Sequence, residues 1–461
     1  MNLQEFVLNY REDVIKSIQE AVRIRSVQEL GKPGKPFGDG AAEALEYFLE
    51  LGKSMGFEVE NFDNYAGHID FGNGEEMLGV LGHVDVVPEG DGWTFPPYSA
   101  TIANGKIYGR GVLDDKGPSI VCLYAMKALK DSGVKLNKKI RMILGANEES
   151  GWECMKHYFG KLNMPQPDLA FTPDSGFPVT FAEKGILHLG LEKVYNENLD
   201  FSIVGGTALN SVPDSAMAIL PLCMRDEIEN KIEEFNKDKD YKIKVIERGD
   251  KIGLESSGKA SHGARPAKGY NSITALFKFL GTLEIENKNL KEIVEFFKEY
   301  ISMDCEGKLL GVNLEDEPSG KLSLNVGKID FQNDKFYLGF DIRYPVTFTK
   351  EVVIDQILKA TEKYGIELRI LSAKDPLYVP KDTFLVKTLM NVYQEITGDY
   401  KTQPIAIGGG TYARAVKNGV AFGALLNTQE DNMHQRDESL DLDKIDTWLK
   451  IYIQAIYDLS K

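Results

Sequence analysis

The stretch Met77–Pro88 reads MLGVLGHVDVVP. Apolar residues run through Met77, Leu78, Val80 and Leu81 and resume at Val86 and Val87, and Pro88 closes the run. A short apolar run rich in β-branched residues and ended by proline reads as a buried strand. Side chains two apart on a strand share a face. His83 and Asp85 therefore project together at the strand's C-terminal end, where open α/β sheets hold their ligands. Imidazole is a common metal ligand, and a neighbouring carboxylate fixes its tautomer and raises its basicity. The pair is either a metal-binding histidine with its orienting aspartate or a capped core histidine, and the rest of the chain decides.

The same design recurs on both sides of this strand. IRMILGANEES (140–150) is an apolar strand ending in Glu148 and Glu149, and LAFTPDSG (169–176) ends in Asp174. GVLDDKGP (111–118) places Asp114 and Asp115 on a loop that opens a helix over Ser119–Leu129. Helices are predicted over 3–24 and 41–56. From about 384 the pattern returns, with the helix TFLVKTLMNVYQEI, the strand VAFGALL, a loop carrying His434, and a final helix Asp441–Tyr457. Residues 1–185 and 384–461 thus form a doubly wound α/β catalytic domain with one rim loaded with metal-type ligands. Between them, 186–383 changes character. Its strands, such as ILHLGLEKVY and KFYLGFDIRYP, alternate two-faced, with helices expected near 226–237, 270–285, 290–303 and 350–364. This is an inserted α+β lid with antiparallel sheet, ferredoxin-like in character. One such sandwich needs about 100 residues, so the segment has room for a doubled one.

A chain of 461 residues exceeds one ordinary core. It carries 70 acidic against 54 basic residues, a net charge of -16. That balance argues against nucleic acid or anionic membrane as a partner and favours attraction of cations. The four cysteines are scattered with no CxxC pair, and read as buried thiols of a reducing compartment. The N-terminal stretch reads as an acid-bearing amphipathic helix rather than a signal or transit peptide, and no apolar run approaches the ~20 residues that span a bilayer. The expectation is a cytoplasmic protein.

Of six histidines, His83 and His434 fall on the rim of the first domain. With Asp114, Glu149 and Asp174 they make two imidazoles and three carboxylates, a thiolate-free set suited to Zn²⁺, Mn²⁺ or Co²⁺. Five ligands are too many for one catalytic ion that keeps an open position. They fit two ions ~3.5–4 Å apart with one carboxylate between them. The adjacent Glu148 and Glu149 then divide their labour, one binding metal and one acting as general base. His68, His157 and His188 lack such partners and read as surface or satisfied core residues.

GHVDVVP, YGRGVLDDKGP, ANEESG, TPDSGFP, SHGARP and the late His434 resemble, in order and spacing, the dinuclear metallopeptidase family of aminoacylase, glutamate carboxypeptidase, succinyl-diaminopimelate desuccinylase and carnosinase. DDKGP, TPDSGFPVTFAEKG, NSVPD and DIRYP together resemble its bacterial dipeptidase V branch. The resemblance implies that His83 and Asp174 hold one metal, that Glu149 and His434 hold the other, and that Asp114 bridges them across a cis Asp114–Asp115 peptide. It implies Asp85 as the residue orienting His83 and Glu148 as general base and acid on a water between the ions. Asn210, His262 and Arg343 would reach the substrate from the lid, and Gly409 and Thr411 would help bind its ends. Arg343 also reads as a plain ion pair with Asp341, and His262 as a turn cap. The implied activity is hydrolysis of unblocked dipeptides, with two divalent ions, zinc foremost. A lid long enough for both halves implies a monomer with a complete site and hinges near 184–188 and 380–385. The competing readings are an N-acyl amino acid deacylase or desuccinylase on the same metal core, and an inactive metal-dependent binding protein. An intact Glu148 argues against the last.

Overall fold

Parallel register explains why the strand ends share one rim. The computed structural model describes residues 3–197 and 199–461. A nine-stranded sheet contains, side by side, Glu58–Phe62, Ala66–Phe71, Lys139–Gly145, Met77–His83, Leu169–Thr172 and Gly419–Ala421. In this run the first three strands pair antiparallel in succession and the last four pair parallel. Every residue of Met77–His83 is buried between its two parallel neighbours, which is why that strand reads as continuously apolar. His83 pairs with Gly145, and Val80 with Phe171. The residues that follow each strand therefore leave the sheet at one level. The helices Leu3–Arg23, Lys116–Ser132 and Lys444–Ser460 pack on one another, and the last two also touch the Met77–His83 strand.

The chain divides into two compact units. The first runs up to Phe181 and includes Val379–Ile405 and Gly410–Lys461. The second is Ala182–Tyr378 with the four-residue excursion Ala406–Gly409. The boundaries thus fall a few residues before the expected 185/186 and 383/384. The excursion had no sequence signature, because it is tied by main-chain bonds such as Lys184 N–H to Ile407 O at 2.9 Å.

The second unit is one eight-stranded antiparallel sheet. Lys242–Arg248, Lys251–Ser257, Ser215–Pro221 and Ser202–Gly205 form one half; Ser323–Gln332, Lys335–Tyr344, Gly185–Val194 and Glu367–Lys374 form the other. The halves join where Ile203, Val204 and Gly205 pair with Phe331, Asp330 and Ile329. Leu187, Leu189 and Leu191 alternate into a core shared with the helices Ser272–Leu280, Lys288–Phe296 and Lys350–Glu362. The doubled α+β lid is therefore one continuous sheet over one core.

One expectation about isolated side chains changes. Cys122 and Cys154 are buried, but Cys223 is exposed and Cys305 half-buried; all four are free thiols. Cys223 sits on the short helical turn Leu222–Met224, none of whose residues is buried. His68 is a satisfied core residue, with Nδ1 2.8 Å from the Tyr158 hydroxyl. No described helix is long and apolar enough to cross a membrane.

His68 supplies a test of stability. Burial pushes its pKa down to about 4 from an ordinary 6.5. The unfolded chain then takes up the proton first. The contribution is complete above pH 6.5 and is lost as the pH falls towards 4, by on the order of 2 kcal/mol after allowing for residual solvation. Urea midpoints should drop between about pH 7 and about pH 4.5, and His68→Phe should flatten that part of the profile. An unchanged slope in the variant would assign the acid sensitivity to other groups.

Candidate metal centre

Each candidate ligand of the first unit follows a strand end or sits on a loop beside one. His83 is the last residue of its strand. Asp174 lies two residues past Leu169–Thr172, and Glu148 and Glu149 follow Lys139–Gly145. Asp114 precedes the helix Lys116–Ser132, and His434 precedes the strand Ser439–Asp441. The Asp114–Asp115 peptide is cis.

Asp114 stands between the two histidines. Its Oδ1 lies 2.9 Å from His83 Nε2 and its Oδ2 2.8 Å from His434 Nε2. His434 Nε2 is also 3.2 Å from Glu149 Oε1, and His83 Nε2 is 4.0 Å from Asp174 Oδ2. Ligand atoms of His83, Asp114 and Glu149 lie within 4.8 Å of one another, as do those of His83, Glu148 and Asp174. Asp115 is turned away, its Oδ2 accepting from Ser119 Oγ at 2.9 Å and from the His83 N–H at 3.3 Å.

The cluster crowds acidic groups away from water. Burial, reinforced by Asp114, raises the pKa of Asp174 and of Glu149. Burial, with Glu149, Asp85 and Asp114 around it, pushes Glu148 up to about 8 even though His83 opposes the shift. Asp114 and Glu149 carry His434 up to about 10. For His83, burial disfavours the cation, but Asp114 and Asp85 outweigh it and raise the pKa. The acids recruit protons because they crowd together away from water. Divalent cations held by these same oxygens and imidazoles would replace those protons. The donor set fits two such ions.

Asp85 does more than face His83. The ring nitrogen Nδ1 lies 3.0 Å from the Asp85 backbone carbonyl and 3.5 Å from its carboxylate. That carboxylate accepts the main-chain N–H groups of Glu148 at 2.9 Å and Glu149 at 3.1 Å. One aspartate thus fixes the histidine through its carbonyl and the glutamate pair through its side chain. A second such residue escaped sequence reading. Trp152, with φ of 65°, donates its indole N–H to Glu148 Oε1 at 3.2 Å and rests edge-on against Tyr412. Nothing local in ESGWE marks that role.

The second unit gathers its own group. Arg343 is buried and doubly bonded to Asp341, Nε at 2.7 Å and Nη2 at 2.9 Å, while Nη1 donates to the Gly408 carbonyl at 2.8 Å. Gly263 donates to the Asn210 carbonyl at 2.7 Å, and a Cβ at Gly263 would fall 2.6 Å from Asp341 Oδ2. His262 is exposed, its Nδ1 accepting from the Ala264 N–H at 3.1 Å. Partial shielding of its ring from water and the Arg343 charge lower its pKa. Asn210, His262 and Arg343 therefore share one neighbourhood, and Gly409 adjoins it in sequence through Gly408. Thr411 belongs to the first unit and caps the turn Tyr412–Ala415 with its hydroxyl.

Comparison with known proteins adds to this geometry. Residues 79–458 match the family model described as peptidase family M20/M25/M40. A protein of Bacillus subtilis (strain 168) carrying the name "Putative dipeptidase YtjP" is 41% identical over the full length of both chains. A "Putative dipeptidase" of Staphylococcus epidermidis is 37% identical over 99% of each. The crystal structure of human carnosine dipeptidase 1 superposes with a TM-score of 0.59 at 15% identity, covering 99% of this chain and 98% of that one.

Proposed function

The chain belongs to peptidase family M20/M25/M40 and is a peptide hydrolase; from that premise we propose that it is a dinuclear metal-dependent dipeptidase. The observation that carries the proposal is the Asp114 carboxylate, which offers one oxygen to the side of His83 and the other to the side of His434. In this reading His83 and Asp174 would hold one ion, Glu149 and His434 the other, and Asp114 would serve both. The donor types favour Zn²⁺, with Mn²⁺ or Co²⁺ as substitutes. When bound, the ions supply Lewis-acid polarisation of the scissile carbonyl and an acidified water. Glu148 takes the proton of the attacking water and returns it to the leaving amine. The Trp152 N–H holds one oxygen of Glu148 and leaves the other for that transfer.

The substrate class rests on the dipeptidase names of the relatives and on Arg343. Asp341 locks the guanidinium through two nitrogens, and Nη1 rests on a main-chain carbonyl. A substrate carboxylate would compete for that third contact with a full charge, which makes the stronger bond. His262, its pKa lowered, is assigned as a neutral donor to the developing oxyanion. We further propose a cytoplasmic monomer, in keeping with four unpaired cysteines and both lid halves within one chain.

Dipeptides, tripeptides and N-acyl amino acids, assayed with and without added Zn²⁺ or Mn²⁺, test the activity. Faster hydrolysis of N-acyl amino acids would replace the reading with a deacylase. Arg343→Ala should raise KM for free dipeptides tenfold or more and leave KM for C-terminally amidated ones nearly unchanged. Equal damage to both would make Arg343 a structural ion pair.

A further inference from the structure

Glu438 lies four residues beyond His434 and is completely buried. Its carboxylate accepts the Arg110 Nη1–H at 2.7 Å, the Leu113 N–H at 2.8 Å, and the Gly111 N–H shared between its oxygens at 3.1 and 3.2 Å. Its own main-chain carbonyl accepts the Gly109 N–H at 3.0 Å. Arg110 Nη2 meets the carbonyls of Pro88 and Glu89 at 3.4 Å each, and Trp93 covers the guanidinium at 5.2 Å. Three segments therefore converge on one carboxylate–guanidinium pair. They are the segment after His83 and Asp85, the loop leading into Asp114, and the loop leaving His434.

The proposed reaction uses neither Glu438 nor Arg110. A buried ion pair is weak support for stability, since apolar replacements often serve as well. This one, however, satisfies the main chain of the Asp114 loop, and Gly111 is fitted to it. Gly111 has φ of +89°, and a Cβ there would fall 2.8 Å from Val86 Cγ1. His434 itself has φ of 61°, a left-handed conformation that a histidine keeps when its surroundings fix it.

We infer that Glu438 and Arg110 are positioning residues of the metal centre, setting the spacing of Asp114 and His434 and so the affinity for divalent ions. The inference rests on the dinuclear reading of the site. Neither residue meets a ligand; they act through the two loops.

The test uses the full chain, stripped of metal and titrated with Zn²⁺ against a chromophoric chelator. The wild type should bind two ions. Glu438→Gln preserves size and can still accept the two amides, but no longer balances Arg110. It should lose affinity for at least one ion by tenfold or more. Arg110→Lys keeps the charge without the planar fork and should lose affinity in the same direction. The thermal midpoint of each metal-free variant separates the roles. A structural role alone would lower the midpoints of metal-free and metal-loaded protein together, with dissociation constants unchanged, and would overturn the inference. Should Glu438→Gln fail to fold, Arg110→Lys decides by the same criterion. A wild type that binds one ion or none would instead overturn the dinuclear reading.

Discussion

Glu148→Gln should lower turnover by on the order of 10²–10⁴-fold while both ions remain bound. The expectation follows from how the two glutamates differ. Glu149 Oε1 stands 3.2 Å from His434 Nε2, on the ligand side of the cluster. Glu148 Oε1 is held by the indole of Trp152, and Asp85 anchors the main chain of both glutamates. Glutamine at 148 can accept the same indole N–H, so the shape of the site survives. It cannot accept a proton from water and pass it on. Elemental analysis should find two ions per chain, and kcat should carry the loss. If the variant lost metal yet kept its rate per bound ion, the roles of Glu148 and Glu149 would have to be exchanged.

Asp114→Ala should cost more in binding than any other ligand change. In the proposed dinuclear centre every other candidate would serve one ion, whereas Asp114 faces both imidazoles. Affinity for both ions should fall at least about 100-fold, with activity falling to background. Loss of only one ion would make Asp114 an ordinary ligand. The charge state of the metal-free site adds a sign. Glu148 near 8 and His434 near 10 both hold protons at pH 7. His434 must shed its proton to bind as a ligand, so binding releases protons and tightens as the pH rises from about 6 to about 8. Calorimetry in buffers of different ionisation enthalpy reads that release directly. Proton uptake, or a pH-independent affinity, would contradict the assignment of His434 as ligand.

The sequence shows the candidate ligands better than what holds them. His83, Glu148, Glu149 and Asp174 follow apolar strands, and the sheet converts that local pattern into a shared rim through parallel register. Asp114 and His434 sit on rim loops with weaker local signals, and the resemblance of the motifs around them supplies their roles and the choice of Asp114 over Asp115. The supporting contacts lie at long range. Asp85 was expected to orient His83 with its carboxylate, but two residues of sequence cannot show that this carboxylate spans to the amides of Glu148 and Glu149. Glu438 and Arg110 are 328 positions apart, and neither stands out in isolation. Arg343 was legible as half of an i, i+2 pair with Asp341. Its third contact, to Gly408, depends on a four-residue excursion of the chain that no periodicity announces.

The entry and exit of the long insertion adjoin each other in the first unit, where the Val379 N–H donates to the Phe181 carbonyl at 2.9 Å. All five candidate ligands and Glu148 lie outside the insertion. In engineering terms the first unit is a chassis and the insertion a module that enters and leaves it at adjoining points. The module is not a single segment. Ala406–Gly409 keep company with the module, and removing Ala182–Tyr378 strips the Ile407 and Gly408 carbonyls of their donors, Lys184 and Arg343. A transplant that brings another module onto this chassis therefore has to carry two pieces of chain, the long insertion and this short splice, as one cassette.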